Sequence, residues 1–248
     1  MNYLCKQAFR HLTAFGLLGL ISLPLLHGQT GEENEPVIRA KFTVYSLERF
    51  EGLKYLQGDR STAASVNFFS SSRSPVYEYE GPNPIVFFKE FAGPKASEAG
   101  DLRRRVVGQI SIPEPGGEYL FIFFPDSQGG DDRYAIYPLP DSPRELPYGT
   151  IRFFNATSFT LHGIVGGDRV RFPPGPSEPF RVRGGQLSVG FGFTHEGKFH
   201  QSFNSPLNLE SGARGLLMIF PPFVKGSAIL QTRFLQDHPN PEENALTE

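Results

Sequence analysis

Proline or glycine interrupts this chain every few residues, and that punctuation excludes most folds before any other feature is weighed. Proline lacks the amide donor and clashes with the preceding turn, and glycine costs backbone entropy in a helix, so repeated breaks truncate any helical register. Between the breaks lie short runs of aromatic and β-branched residues, the mark of strands in a sandwich or barrel. The counts agree: 27 Gly, 22 Pro and 24 Phe among 248 residues, against two Met. The expected fold class is all-β.

The one helix expected is at the N-terminus. Lys6 and Arg10 precede a run from Leu12 to Leu26 that is apolar apart from Thr13 and Ser22, and QTGEENE follows at once. A positive segment and an apolar run of about 15 residues read as a signal peptide over Met1–Gly28, since a membrane span needs roughly 20. Cleavage is expected near Gly28 or Gln29. The mature chain then has no membrane span and is periplasmic or secreted. The only cysteine, Cys5, leaves with the signal peptide. Export normally permits disulfides, but here core burial alone must hold the fold. Removing two of the 24 basic residues and none of the 26 acidic ones leaves a formal charge of −4. A mildly acidic chain is no general nucleic-acid binder.

Sliding the chain against itself exposes a repeat. Lys41–Tyr45 (KFTVY) aligns with Thr150–Phe154 (TIRFF) at an offset of 109, as does Gly58-Asp59-Arg60 with Gly167-Asp168-Arg169. Alternation puts Phe42 and Val44, or Ile151 and Phe153, on one face, with Thr43 or Arg152 on the other. Tyr77–Gly81 matches Phe180–Gly184 in side-chain parity at 103, and the segment ending YLFIFFP at Pro125 matches the one ending GLLMIFP at Pro221 at 96. A strand cannot slip by one residue without exposing its core face, so parity outranks a competing proline match.

Two tandem, duplicated units are therefore expected, Val37–Pro143 and Pro147–Pro239, each an immunoglobulin-like or similar β sandwich of about seven strands. Pro138–Pro147 (PLPDSPRELP) is the linker, short enough for the units to pack together. Residues 240–248 form an acidic tail expected to fray. Leu120–Phe124 and Leu216–Phe220 are apolar on both faces, which suits central strands covered on both sides.

Few residues of the chain are candidates for chemistry. His195 and His200, with Glu196 at a hairpin tip, are the only histidine cluster to test for a metal, and a solvated hairpin explains them better. Asp126, Asp131 and Asp132 lack the spacing of a calcium loop. Ser188 lacks the G-x-S-x-G turn, and GIVGGDR lacks the lysine and helix of a phosphate loop. No catalytic, cofactor-binding or metal residue is assigned, and no cofactor is expected; the protein is read as a non-enzyme. Arg103-Arg104-Arg105 is the densest basic spot, which fits either an anionic polymer or a solvated strand edge that discourages aggregation. Tyr77, Tyr79, Tyr134 and Tyr137 are the expected surface aromatics, since core packing accounts for the phenylalanines.

In YEYEGPNPIVFFKE, YLFIFFP and YGTIRFFNATSFTLHGIVGG the chain resembles exported bacterial two-unit β-sandwich proteins of uncharacterised function. That resemblance implies fold and export and assigns no activity. The expectation is a structural or protein-interaction module of the cell envelope. The alternative is a β sandwich that binds a glycan or other extracellular polymer through Tyr77, Tyr79, Arg103, Arg104 and Arg105. A hydrolase using Glu196 or the acidic loops ranks third.

Overall fold

A computed structural model describes residues 37–48, 50–58, 62–69, 72–92, 102–126, 133–224 and 226–239. The expected signal segment Met1–Gly28, Asp59 and Arg60, Asp131 and Asp132, and the expected tail 240–248 lie outside these residues. Those described are all-β, with 17 strands and no helix. None of them forms a helix long and apolar enough to cross a membrane.

The first half contains β1 (Val37–Ser46), β2 (Leu53–Leu56), β3 (Ala63–Ser65), β4 (Tyr77–Pro82), β5 (Ile85–Ala92), β6 (Leu102–Ile110), β7 (Gly116–Pro125) and β8 (Tyr134–Pro140). They form two sheets, ordered β4-β1-β7-β8 and β3-β2-β5-β6. The second half contains β9 (Thr150–Asn155), β10 (Leu161–Val165), β11 (Asp168–Phe172), β12 (Gly175–Pro176), β13 (Phe180–Arg181), β14 (Gln186–His195), β15 (Lys198–Asn208), β16 (Arg214–Phe220) and β17 (Gln231–Asp237). Its sheets run β12-β9-β16-β17, with β13 also on β9, and β11-β10-β14-β15. The halves therefore hold eight and nine strands where about seven each were expected. β3 is very short, and β12 and β13 are two-residue pieces flanking Ser177–Pro179.

Strand order repeats between the halves, and so does the register of the inner sheets. Phe42 faces Tyr77 across β1 and β4, as Ile151 faces Phe180 across β9 and β13. Phe42 lies beside Tyr119 in the parallel pair β1–β7, as Ile151 lies beside Gly215 in β9–β16. These inner-sheet pairs map onto one another at the same three offsets, 109, 103 and 96, that align the two stretches of sequence. The outer sheets depart from that register: Tyr55 and Phe87 face each other in the first core, whereas Ile164 and Gly190, at offsets 109 and 103, face each other on the outer side.

Three apolar layers separate four stacked sheets. Phe42, Val44, Phe121 and Phe123 of the first inner sheet pack on Leu53, Tyr55 and Phe87 of its outer sheet. Ile151, Phe153, Leu217 and Ile219 pack likewise on Leu161, Val189 and Phe191. The opposite faces of the two inner sheets meet each other, joining Tyr45, Leu120, Ile122 and Leu139 to Phe154, Leu216, Met218, Phe220 and Leu235. This explains why Leu120–Phe123 and Leu216–Phe220 are apolar at every position. Each lies in a non-edge strand with sheet packed on both faces, so alternation has no solvent side to record.

The seam between the halves is polar at one end, where basic side chains fix the connection 141–149. Both terminal nitrogens of Arg73 donate to the Asp141 carboxylate. Arg214 donates to Asp237 at 2.7 and 2.9 Å and to the Asp141 carbonyl at 2.7 Å. Arg152 donates to the carbonyls of Pro140 and Glu145. Burial opposes the Arg214 charge, but Asp141 and Asp237 outweigh it and hold its pKa above the ordinary arginine value. Leu146 is fully buried, and the Gly149 amide donates to the Ala213 carbonyl. The connection is thus clamped by both halves and is no swinging tether.

Candidate binding surface

Strand parity decides where the expected site residues fall. Tyr77 and Tyr79 lie two apart on β4 and point to the same side, towards the first core. Tyr79 is 5% exposed and donates to the Pro82 carbonyl, which corrects its expected place on the surface. Tyr77 is half-buried, its ring 5.5 Å from Phe42 and its hydroxyl accepting from the Asn67 amide. Tyr134 and Tyr137 are half-buried too, their rings tilted against those of Phe50 and Phe154 at 4.1 and 4.9 Å between centroids. In a chain without Trp, the tyrosines supply core volume alongside phenylalanine.

Arg103, Arg104 and Arg105 lie in β6, an exposed edge strand. Arg104 bonds Glu90 at 3.3 Å and covers the Phe88 ring, and Arg105 covers the Phe91 ring. Lys54 also donates to Glu90 at 2.5 Å, and that bond leads the causes that lower the Glu90 pKa. β6 runs beside β8, whereas β4 is at the other edge of the inner sheet. The expected tyrosine and arginine residues are therefore not brought together on one surface.

His195 and Lys198 close a two-residue hairpin turn, Glu196-Gly197, with φ of 50° and 75°, and His200 lies two residues further along β15. The His195 and His200 rings are 6.4 Å apart, and Glu196 lies 3.8 Å from His195. His195 and Glu196 are exposed at the tip of β14–β15, whereas His200 is half-buried and stacks on Phe193 at 5.6 Å.

A different surface emerges on the outer sheet of the second half. Val165 and Asp168 close the β10–β11 hairpin around Gly166-Gly167, whose φ of 60° and 101° suit a two-residue turn that matches strand twist. Alternation sends Leu161, Val165 and Phe172 into the core and leaves His162, Ile164, Arg169 and Arg171 exposed. Arg171 faces His162, and Arg169 faces Ile164. On β15, Phe199 is 56% exposed and lies across Gly192, where an added Cβ would come within 2.8 Å of the ring. Together these residues and Val170 line a shallow depression of about 450 Å³. Neither Arg169 nor Arg171 makes an ion pair among the described residues. The result is a cationic pair on one strand face beside apolar surface.

No sequence motif marks this surface. Two signals were present nonetheless. DRVRF places two arginines on one strand face, and residues 147–239 carry nine Lys or Arg against five Asp or Glu in a chain that is acidic overall.

The fold and this surface define the class: an all-β protein of four stacked sheets with an exposed cationic and apolar sheet face. No protein-family model matches the chain, and a search of curated proteins returns no match.

Proposed function

We propose that this is an exported, non-catalytic interaction protein of the cell envelope or periplasm, built from two duplicated β-sandwich units joined back to back. The shared strand order and the repeated register of the inner sheets support a common origin of the two units, each immunoglobulin-like or similar. The observation that carries the binding role is the second outer sheet, where exposed Ile164 and Phe199 sit beside unpaired Arg169 and Arg171 on a rigid frame. Exposed apolar residues clustered with charge on a rigid sheet suit recognition of a partner protein.

The test is photo-crosslinking in intact producing cells from a probe placed at Phe199, with a probe at exposed Ser211 as control. A discrete adduct from position 199 alone supports the reading. Equal or absent adducts at both positions count against it. The polymer-binding alternative drew on Tyr77, Tyr79 and Arg103–Arg105 acting together, and their separation leaves only the arginine edge available to it.

A further inference from the structure

We infer that the open edge of β11 receives an extended acidic segment of a partner protein, which adds as a fifth strand to the second outer sheet. This rests on the interaction-protein reading and names the chemistry of the partner.

The backbone sets the geometry. In a two-residue hairpin the residues closing the turn, here Val165 and Asp168, exchange hydrogen bonds, and bonded and non-bonded pairs alternate away from it. Gly163–Val170 is then a bonded pair, and Ile164–Arg169 and His162–Arg171 are non-bonded pairs. The N–H and C=O groups of Arg169 and Arg171 therefore point away from β10. β11 is the edge of its sheet, so these groups face outward, and among the described residues no backbone group pairs with them.

Side chains and backbone then agree on one ligand. The free backbone groups belong to the same two residues whose guanidinium groups stand on the outer face. An antiparallel strand added here would form bonded pairs with Arg171 and Arg169, and directly opposed residues share a face. Acidic side chains at alternate positions of the incoming strand would stand opposite the two arginines, which are separated by about 7 Å along the strand. Ile164 and Phe199 offer apolar flanking area on the same face. A second copy pairing through this edge would set arginine against arginine, which disfavours self-association. The edge is thus blunted against its own kind and open to an acidic strand.

The test uses the exported chain and short capped peptides that alternate glutamate with valine. Binding should weaken with salt and slow amide exchange at Arg169 and Arg171, while the amide of Val170, already bonded to Gly163, changes little. Methylating the backbone nitrogens of the glutamates should abolish binding, and methylating those of the valines should not. Arg169→Glu with Arg171→Glu should weaken the glutamate peptide by about tenfold or more and admit the matching lysine peptide. Both positions are exposed, and Arg169→Gln with Arg171→Gln serves as a milder variant should the reversal disturb folding.

Three results overturn the inference: no peptide binding, binding indifferent to glutamate methylation, or dextran sulfate binding equally well without amide protection. The last would make this face a polyanion patch. Loss of peptide binding with a retained adduct at position 199 would refute the strand mode and leave the interaction reading standing.

Discussion

Asp141→Ala is expected to destabilise the protein by about 3–5 kcal/mol, the range for stripping one partner from a buried ion pair. Asp141 is 6% exposed and lies between Arg73 and Arg214, whose side chains are 9% and 8% exposed. Removing the carboxylate leaves unequal consequences. Arg214 retains two bonds to Asp237 and one to a carbonyl, whereas both terminal nitrogens of Arg73 lose their acceptor and its Nε already has none. Most of the cost is therefore a stranded Arg73. The reverse change, Arg73→Met, leaves Asp141 near Arg214 at 3.8 Å and should cost less, about 1–3 kcal/mol. With Arg73 already replaced, removing Asp141 strands nothing, so the double variant should be more stable than the sum of the singles by about 1–3 kcal/mol. Urea unfolding at neutral pH measures all four corners of this cycle. Taking a slope of about 2–3 kcal/mol/M for a chain of this size, Asp141→Ala should lower the midpoint by about 1–2.5 M. A cost below about 1 kcal/mol, or strict additivity, would refute the clamp.

Other expectations are independent of the clamp. Tyr45→Phe should be close to neutral, within about 1 kcal/mol in thermal unfolding, because the hydroxyl is buried in the seam near Arg233 but makes no hydrogen bond of normal geometry among the described residues. Met218→Ala, fully buried where the inner sheets meet, should cost about 2–5 kcal/mol by the same assay, and an effect near zero would mean the seam is loose. Gly116→Ala should cost several kcal/mol, since φ is 119° and a Cβ would fall 1.7 Å from the Arg39 carbonyl oxygen; retained wild-type stability counts against the parallel β1–β7 register. Glu90 has a folded pKa below its unfolded value, so its contribution is present above the ordinary carboxylate range and is lost as pH falls through the folded pKa. Glu90→Gln should therefore lower stability at neutral pH, and the gap from wild type should close on acidification.

The local chemistry of the chain determined a good deal by itself. Pro and Gly spacing set the all-β class, because frequent breaks leave room only for short extended runs. Side-chain parity placed Phe42, Val44, Ile151 and Phe153 on core faces and Thr43 and Arg152 opposite, because a strand's period of two leaves no freedom once one face is buried. The apolar runs at Leu120 and Leu216 announced strands covered on both sides. They did not announce what covers them, and only the tertiary structure showed that each inner sheet covers the other. The same limit explains the tyrosines: Tyr79 alternates like a half-exposed strand residue, and its burial depends on Ala40 and Tyr55 arriving from other strands. Arg73, Asp141 and Arg214 are far apart in sequence, so their clamp is invisible to any local pattern. Arg169 and Arg171 show the division most plainly. Sequence places both on one face of a strand, but whether that strand ends its sheet is a fact of long-range pairing, and pairing between distant segments is what a one-dimensional pattern does not encode.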